Sequence, residues 1–283
     1  MGRADGIRVK NEVPMYYLAP HFMTERHDSM NMITVDIPVE PLKQYMNAKR
    51  KEGHHISHMA LLMTAYAHLA GEFPSLNRFV SRRRIYQHKD FKVSLVVLRP
   101  GASANDDTMA KLDLSPSDTI FDVQKKIDEY VETNSAGADV NANGLDKLMN
   151  IFLKLSFLLD FIGWLLRTAD RWGLLPKKII DISPFHASVL VTNLASIRTN
   201  HIYHHVYDFG TTSVSIAMGN MRDVAKRGRG GEIELVRCIP MGVVMDERIA
   251  SGHYFSLAFT RLKEMMAHPE CLEQPADTSH PVT

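Results

Sequence analysis

One stretch near the C-terminal end constrains the fold more than any other. An uncharged run from Cys238 to Met245 is followed at once by Asp246-Glu247-Arg248-Ile249-Ala250-Ser251-Gly252-His253. The run reads as a buried strand, because no position in it carries a charge that would favour water. Beyond it, Phe255, Ala258, Phe259, Leu262 and Met266 recur at helical spacing between Tyr254 and Ala267. The stretch is therefore a strand, a short charged turn and a helix. Gly252 marks a point where the backbone turns tightly or approaches something closely.

The chain before this unit alternates strands and helices. Met30 to Pro38 reads as a strand, Val39 to Lys51 as a short helix, and His58 to Leu69 as a strongly apolar helix capped by Ser57 and closed by Gly71 and Pro74. Arg84 to His88 and Lys92 to Leu98 read as strands. Asp118 to Thr133 is an amphipathic helix with Ile120, Val123, Ile127 and Val131 facing inward. Ser135 to Gly144 is small and polar, a surface loop. His186 to Ser196, which includes Thr192, reads as an apolar strand and its turn, and Tyr207 to Gly219 supplies a further strand. Glu232 to Val244 continues as strand after a glycine-rich basic loop, Lys226 to Gly231. Residues 1–25, with Pro14 and Pro20, read as an extended arm, and residues 271–283 as a flexible tail.

Composition narrows the function classes. With 283 residues the chain has enough length for a large core. A formal charge of +1 supplies no electrostatic case for nucleic acid. Two cysteines make no disulfide framework, and a reducing cytoplasm fits. His54, His55 and His58 lack a matching carboxylate or cysteine group, so no metal site is expected. Arg82-Arg83-Arg84 reads as a solvated hairpin, with phosphate contact as the alternative.

The Asp246–Gly252 turn resembles the signature Asp-His-Arg-x-x-Asp/Asn-Gly of dihydrolipoyl acyltransferase catalytic domains of 2-oxo acid dehydrogenase complexes. It is also similar to the His-His-x-x-x-Asp-Gly of chloramphenicol acetyltransferases. Pro74-Ser75-Leu76-Asn77 resembles the family's Pro-x-Leu-Asn element, and Val189 to Ala195 its Phe-Thr-Ile-Ser-Asn-Leu-Gly strand and turn. The likeness spans roughly residues 20 to 270, with 145–185 inserted or remodelled. It implies a chloramphenicol acetyltransferase-like (coenzyme A-dependent acyltransferase) α/β fold, a mixed sheet flanked by helices, over residues 26–270. No lipoyl domain is expected.

The same likeness implies a site between subunits of a homotrimer, where acyl-coenzyme A, a cosubstrate, meets a small-molecule thiol, hydroxyl or amine acceptor. Carried over residue by residue, Glu247 stands where the family has its catalytic histidine, and Ser251 where it has an acid or amide. Thr192 stands where the family places the hydroxyl that donates to the tetrahedral oxyanion. A free carboxylate has a pKa of about 4.3, so Glu247 needs burial to act as base. Three readings follow: Glu247 is the base; the base comes from His205, His204 or His253; or the chain is a pseudoenzyme that keeps the fold as a binding or scaffold subunit. The apolar stretch 151–175 is too short and too interrupted to favour spanning a membrane. It reads as helical core or oligomer interface, with contact to a membrane surface or lining of an acyl-chain pocket as alternatives.

Overall fold

The computed structural model describes residues 3–10, 13–98, 107–135, 156–228 and 230–282. Among them ten strands run Gly6–Arg8 (β1), Met30–Pro38 (β2), Arg78–Ser81 (β3), Arg84–His88 (β4), Phe91–Leu98 (β5), Asp107–Leu114 (β6), Val189–Asn193 (β7), Val214–Met218 (β8), Arg222–Arg227 (β9) and Ile233–Asp246 (β10). Among the described residues seven α-helices run Pro14–Phe22 (α1), Val39–Lys51 (α2), His58–Glu72 (α3), Ile120–Ser135 (α4), Ser156–Trp172 (α5), Lys177–Ile182 (α6) and Gly252–Ala267 (α7).

The large sheet has the order β2-β10-β8-β7-β5-β6, with β9 paired to the outer half of β10. It is mixed: β7 lies parallel to β5 and β8, while β10 runs antiparallel to β2, β8 and β9. A small sheet, β1-β4-β3, stands apart from it. The expected mixed sheet flanked by helices is what the chain forms.

Period-two alternation decides which face carries the core. Val189 and Val191 of β7, Val214, Ile216 and Met218 of β8, and Met241, Val243 and Met245 of β10 join the buried cluster under α2, α3, α4 and α7. α3 is apolar all round and buried from Ala60 to Ala70, as a helix wrapped on every side must be. Ser57 caps it by accepting from the Ala60 N–H at 3.1 Å.

The alternate residues, among them Thr34, Leu190, Thr192, Ser215 and Gly242, point to the reverse face. That face is covered by the chain's own segments 177–186 and 199–212. Lys111 Nζ donates to the carbonyls of Ile180 and Ser183 at 2.8 and 3.0 Å, and Ser94 Oγ to that of Pro184 at 2.7 Å. A Cβ on Gly242 would lie 2.1 Å from the Ile202 carbonyl oxygen, and one on Gly219 2.1 Å from the His201 nitrogen. These two glycines let the 199–207 backbone lie flat on the sheet.

Several expectations change. Pro14 to Phe22 is a helix, not an extended arm: Pro14 sits at the first helical position, where its missing N–H costs nothing. The tail beyond 270 is laid on the fold, with Leu272 buried and the Val282 N–H bonded to the Glu72 carbonyl at 2.8 Å. Val131 is 47% exposed, since α4 outruns the body it packs on. The loop expected at 135–144 and the first part of the 145–185 insertion lie outside the described residues, apart from Ser135, which ends α4. Among the described residues no helix is long and apolar enough to cross a membrane.

Candidate functional site

The turn after β10 is built on a buried ion cluster. Asp246 is fully buried and Arg248 nearly so. Arg248 grips it with both arms of the guanidinium, Nε to Oδ1 at 2.9 Å and Nη2 to Oδ2 at 2.8 Å. Ser29 Oγ and the Arg248 N–H donate to Oδ1 as well, both at 3.0 Å. Arg26, equally buried, brings its Nε to 3.6 Å from Oδ2 and donates to the carbonyls of Tyr207 and Gly210. Burial presses the Arg26 pKa down against the pull of Asp246. One carboxylate thus hydrogen-bonds one guanidinium, pairs at longer range with a second, and ties the 26–29 segment to the turn.

Glu247 sits at the apex of this clamped turn and is exposed. Its N–H donates to the Ser29 carbonyl at 2.8 Å, which fixes the backbone while the side chain projects outward. Adjacency suggests a pairing with Arg248, but Arg248 is spent on Asp246. Ser251 caps α7, accepting from the Tyr254 N–H at 3.2 Å, so a hydroxyl there starts the helix. Gly252 needs neither positive φ nor close contact, because a Cβ there would meet nothing within 4 Å. Replacing Gly252 by alanine is therefore expected to shift Tm by no more than about 2 °C in thermal unfolding.

Thr192 lies on the reverse face of β7, 8% exposed, and its Oγ1 is buried with no hydrogen-bond partner. It shares a row with Ala217 and Gly242. Glu247 lies five residues beyond Gly242, so the two are about 17 Å apart along the strands and about 10 Å across them. Within one chain they do not meet.

The third candidate, His205, lies elsewhere. It is exposed, stacked on His204 at 5.1 Å and edge-on to Tyr207 at 4.5 Å. With Tyr207, Asp208 and Gly210 it lines a cavity of about 1220 Å³. His253 is exposed on α7. The cavity is lined as well by α5, the β3–β4 turn, Arg26 and Arg248. Asp170, also in the lining, receives Arg3 Nη2 at 2.7 Å, lies 3.2 Å from His186 Nε2, and accepts from the Gly210 N–H at 3.0 Å. Burial opposes the charge on Asp170, yet His186 and Arg3 hold its pKa well below the usual carboxylate range. Neither Arg26 nor Asp170 belongs to a local motif, and nothing in the sequence marks them.

Comparison of the whole backbone with solved structures decides the architecture. The cubic core of the pyruvate dehydrogenase multienzyme complex matches with a TM-score of 0.60 at 14% identity, over 93% of this chain and 94% of that one. The Azotobacter vinelandii dihydrolipoamide acetyltransferase matches with a TM-score of 0.59 at 13% identity, over 93% and 94%. A chloramphenicol acetyltransferase matches with a TM-score of 0.54 at 9% identity, over 92% and 99%. The chain has the chloramphenicol acetyltransferase-like fold. No protein-family model matches it, and no curated protein does. The acyltransferase fold is thus retained at a sequence distance where residue roles do not transfer by themselves. For the Azotobacter enzyme, a serine, a histidine and an asparagine were investigated for roles in the catalytic mechanism; Thr192, Glu247 and Ser251 are the residues the sequence resemblance sets against such a trio.

Proposed function

We propose that the chain is a coenzyme A-dependent acyltransferase whose site forms between copies of a homotrimer. The observation that carries this reading is the Thr192 hydroxyl, buried and without a partner in its own chain. A buried donor left open calls for an explanation, and an oxyanion that exists only during the reaction is one. The clamped turn supports it from the other side, since it presents Glu247 outward, where a neighbouring copy supplies the burial its own chain does not. The reaction would run by attack of the acceptor's thiol, hydroxyl or amine on the thioester carbonyl. Glu247 takes the acceptor's proton, Thr192 donates to the oxyanion, and collapse expels the coenzyme A thiolate, which recovers the proton.

The fold's occurrence in the cubic core of a multienzyme complex supports assembly, and a second reading, a silent scaffold subunit, draws on the same likeness. Its own support is the exposure of Glu247. Subunit mixing separates the two. Glu247→Ala and Thr192→Val are each expected to lower coenzyme A release about 100-fold or more. An equal mixture, dissociated and reassembled, should recover about a quarter of wild-type turnover, because a heterologous interface draws one residue from each copy. Turnover that survives Glu247→Ala but collapses in His205→Ala moves the base to the 204–205 loop. No release with any acyl-coenzyme A in the wild type leaves the scaffold reading.

A further inference from the structure

The cavity beside the turn carries chemistry that the proton transfer does not use. Six arginines line it against Glu25, Asp170 and Asp208. Arg26 and Arg248 are occupied by Asp246, and Arg171 by Glu25 at 2.7 Å. Among the described residues no carboxylate pairs with Arg82, Arg83 or Arg167. Three guanidinium groups thus line one space without an ion pair of their own, and a fork of donors of this kind suits phosphate or carboxylate.

The backbone points the same way. Arg82 and Arg83 form the two-residue turn between β3 and β4, where Ser81 pairs with Arg84. Both have positive φ, 49° and 60°. Such turns favour Asn-Gly, and two arginines there hold the chain in a region that side chains with a Cβ avoid. Strain kept at a cavity wall marks a functional constraint. Beside them stand Trp164 and Trp172, 60% and 48% exposed, with the Arg82 guanidinium 3.7 Å above the Trp172 ring. Flat apolar surface next to uncompensated cations recognises a ligand that is anionic at one end and flat and apolar beyond.

We propose that this cavity binds an acyl acceptor bearing a phosphate or carboxylate group on a flat apolar body. Its anion meets Arg82, Arg83 and Arg167, and its body lies along Trp164 and Trp172 toward His205 and the 246–248 turn. The word acceptor rests on the acyltransferase reading; the binding itself does not, so it is read without turnover.

The chain has two tryptophans, and both line this cavity, so intrinsic fluorescence reports its occupancy. Phenyl phosphate and benzoate are the probes, with coenzyme A as competitor. Saturable change is expected with phenyl phosphate, weakened about 30-fold or more in the Arg82→Asn/Arg83→Gly double variant and in Arg167→Ala. The double variant should also melt about 2–5 °C higher, because its turn is relieved, so lost binding cannot be lost folding. Absence of a saturable response to either probe, or equal affinity in the variants, overturns the proposal. Competitive displacement of phenyl phosphate by coenzyme A also overturns it, by assigning the arginines to the acyl donor. Tight phenyl phosphate binding in a protein that releases no coenzyme A would retain the site and remove the acyltransferase reading.

Discussion

Replacing Asp246 by alanine is expected to cost about 4 kcal/mol of stability and about 10 °C of Tm. The loss exceeds that of an ordinary hydrogen bond because the damage lies in what remains. Asp246, Arg248 and Arg26 are all nearly or wholly withdrawn from water. With the carboxylate gone, two guanidinium groups stay buried without a counter-charge, and removing one partner of a buried ion pair costs about 3–5 kcal/mol. Ser29 Oγ loses one of its three acceptors and keeps the carbonyls of Glu25 and Arg26. Asp246→Asn should be milder, since an amide oxygen still accepts from one arginine arm. Urea unfolding of both variants checks the order. A Tm within about 3 °C of wild type for Asp246→Ala would show that Arg26 and Arg248 find water or other acceptors, and that the turn is not held by this carboxylate.

The cluster also explains how much of the site is legible in the sequence. Asp246, Glu247 and Arg248 are adjacent, so the motif and its place between strand and helix can be read from the order of residues. The apolar run of β10 and the 3.6-residue recurrence in α7 each declare one periodicity over a long enough span. What fails to show has physical causes. β9 holds Arg222, Asp223, Lys226 and Arg227 in six residues and is exposed except at half-buried Val224; its pairing with β10, not its own pattern, makes it a strand. β6 alternates, with Ala110, Leu112 and Leu114 buried, but Asp107, Lys111 and Asp113 put charge into a short segment and mask the pattern. Arg26 looks like any surface arginine until Asp246 arrives from 220 positions later in the chain.

The cavity is the extreme case. Its walls come from the segments at 24–27, 80–83, 164–172 and 205–210 together with Arg248. The arginine run reads as a solvated hairpin, which it is, and the apolar insertion as a helix, which its described part is. Only the fold sets one against the other, and that meeting, not either pattern, makes the binding chemistry.

The fold is expected to lose about 3 kcal/mol as pH falls from 6.5 to about 4, through His88 alone. His88 is buried beside Phe79, with ring centroids 4.6 Å apart, and its Nε2 lies 3.3 Å from the Thr211 carbonyl oxygen, to which it donates. Burial pushes its pKa down to about 4 against the pull of Asp5, and Arg3 and Arg26 press the same way. In the unfolded chain the ring returns to about 6.5. Between those values the unfolded state binds a proton that the folded state refuses, so stability is complete above pH 6.5 and declines by up to about 1.4 kcal/mol per unit below it. His58 and His68, also held down by burial, add slope of the same sign, while the exposed His27, raised by Asp208, opposes it. His88→Gln isolates the ring: the amide keeps a donor for Thr211 and does not titrate. Urea midpoints at pH 7.5 and pH 5 should fall further in the wild type than in the variant. Equal falls would place the acid lability elsewhere. Because Thr211 adjoins Gly210, whose N–H binds Asp170 in the cavity lining, protonating His88 sets a third positive charge beside Arg3 and Arg26 next to that wall.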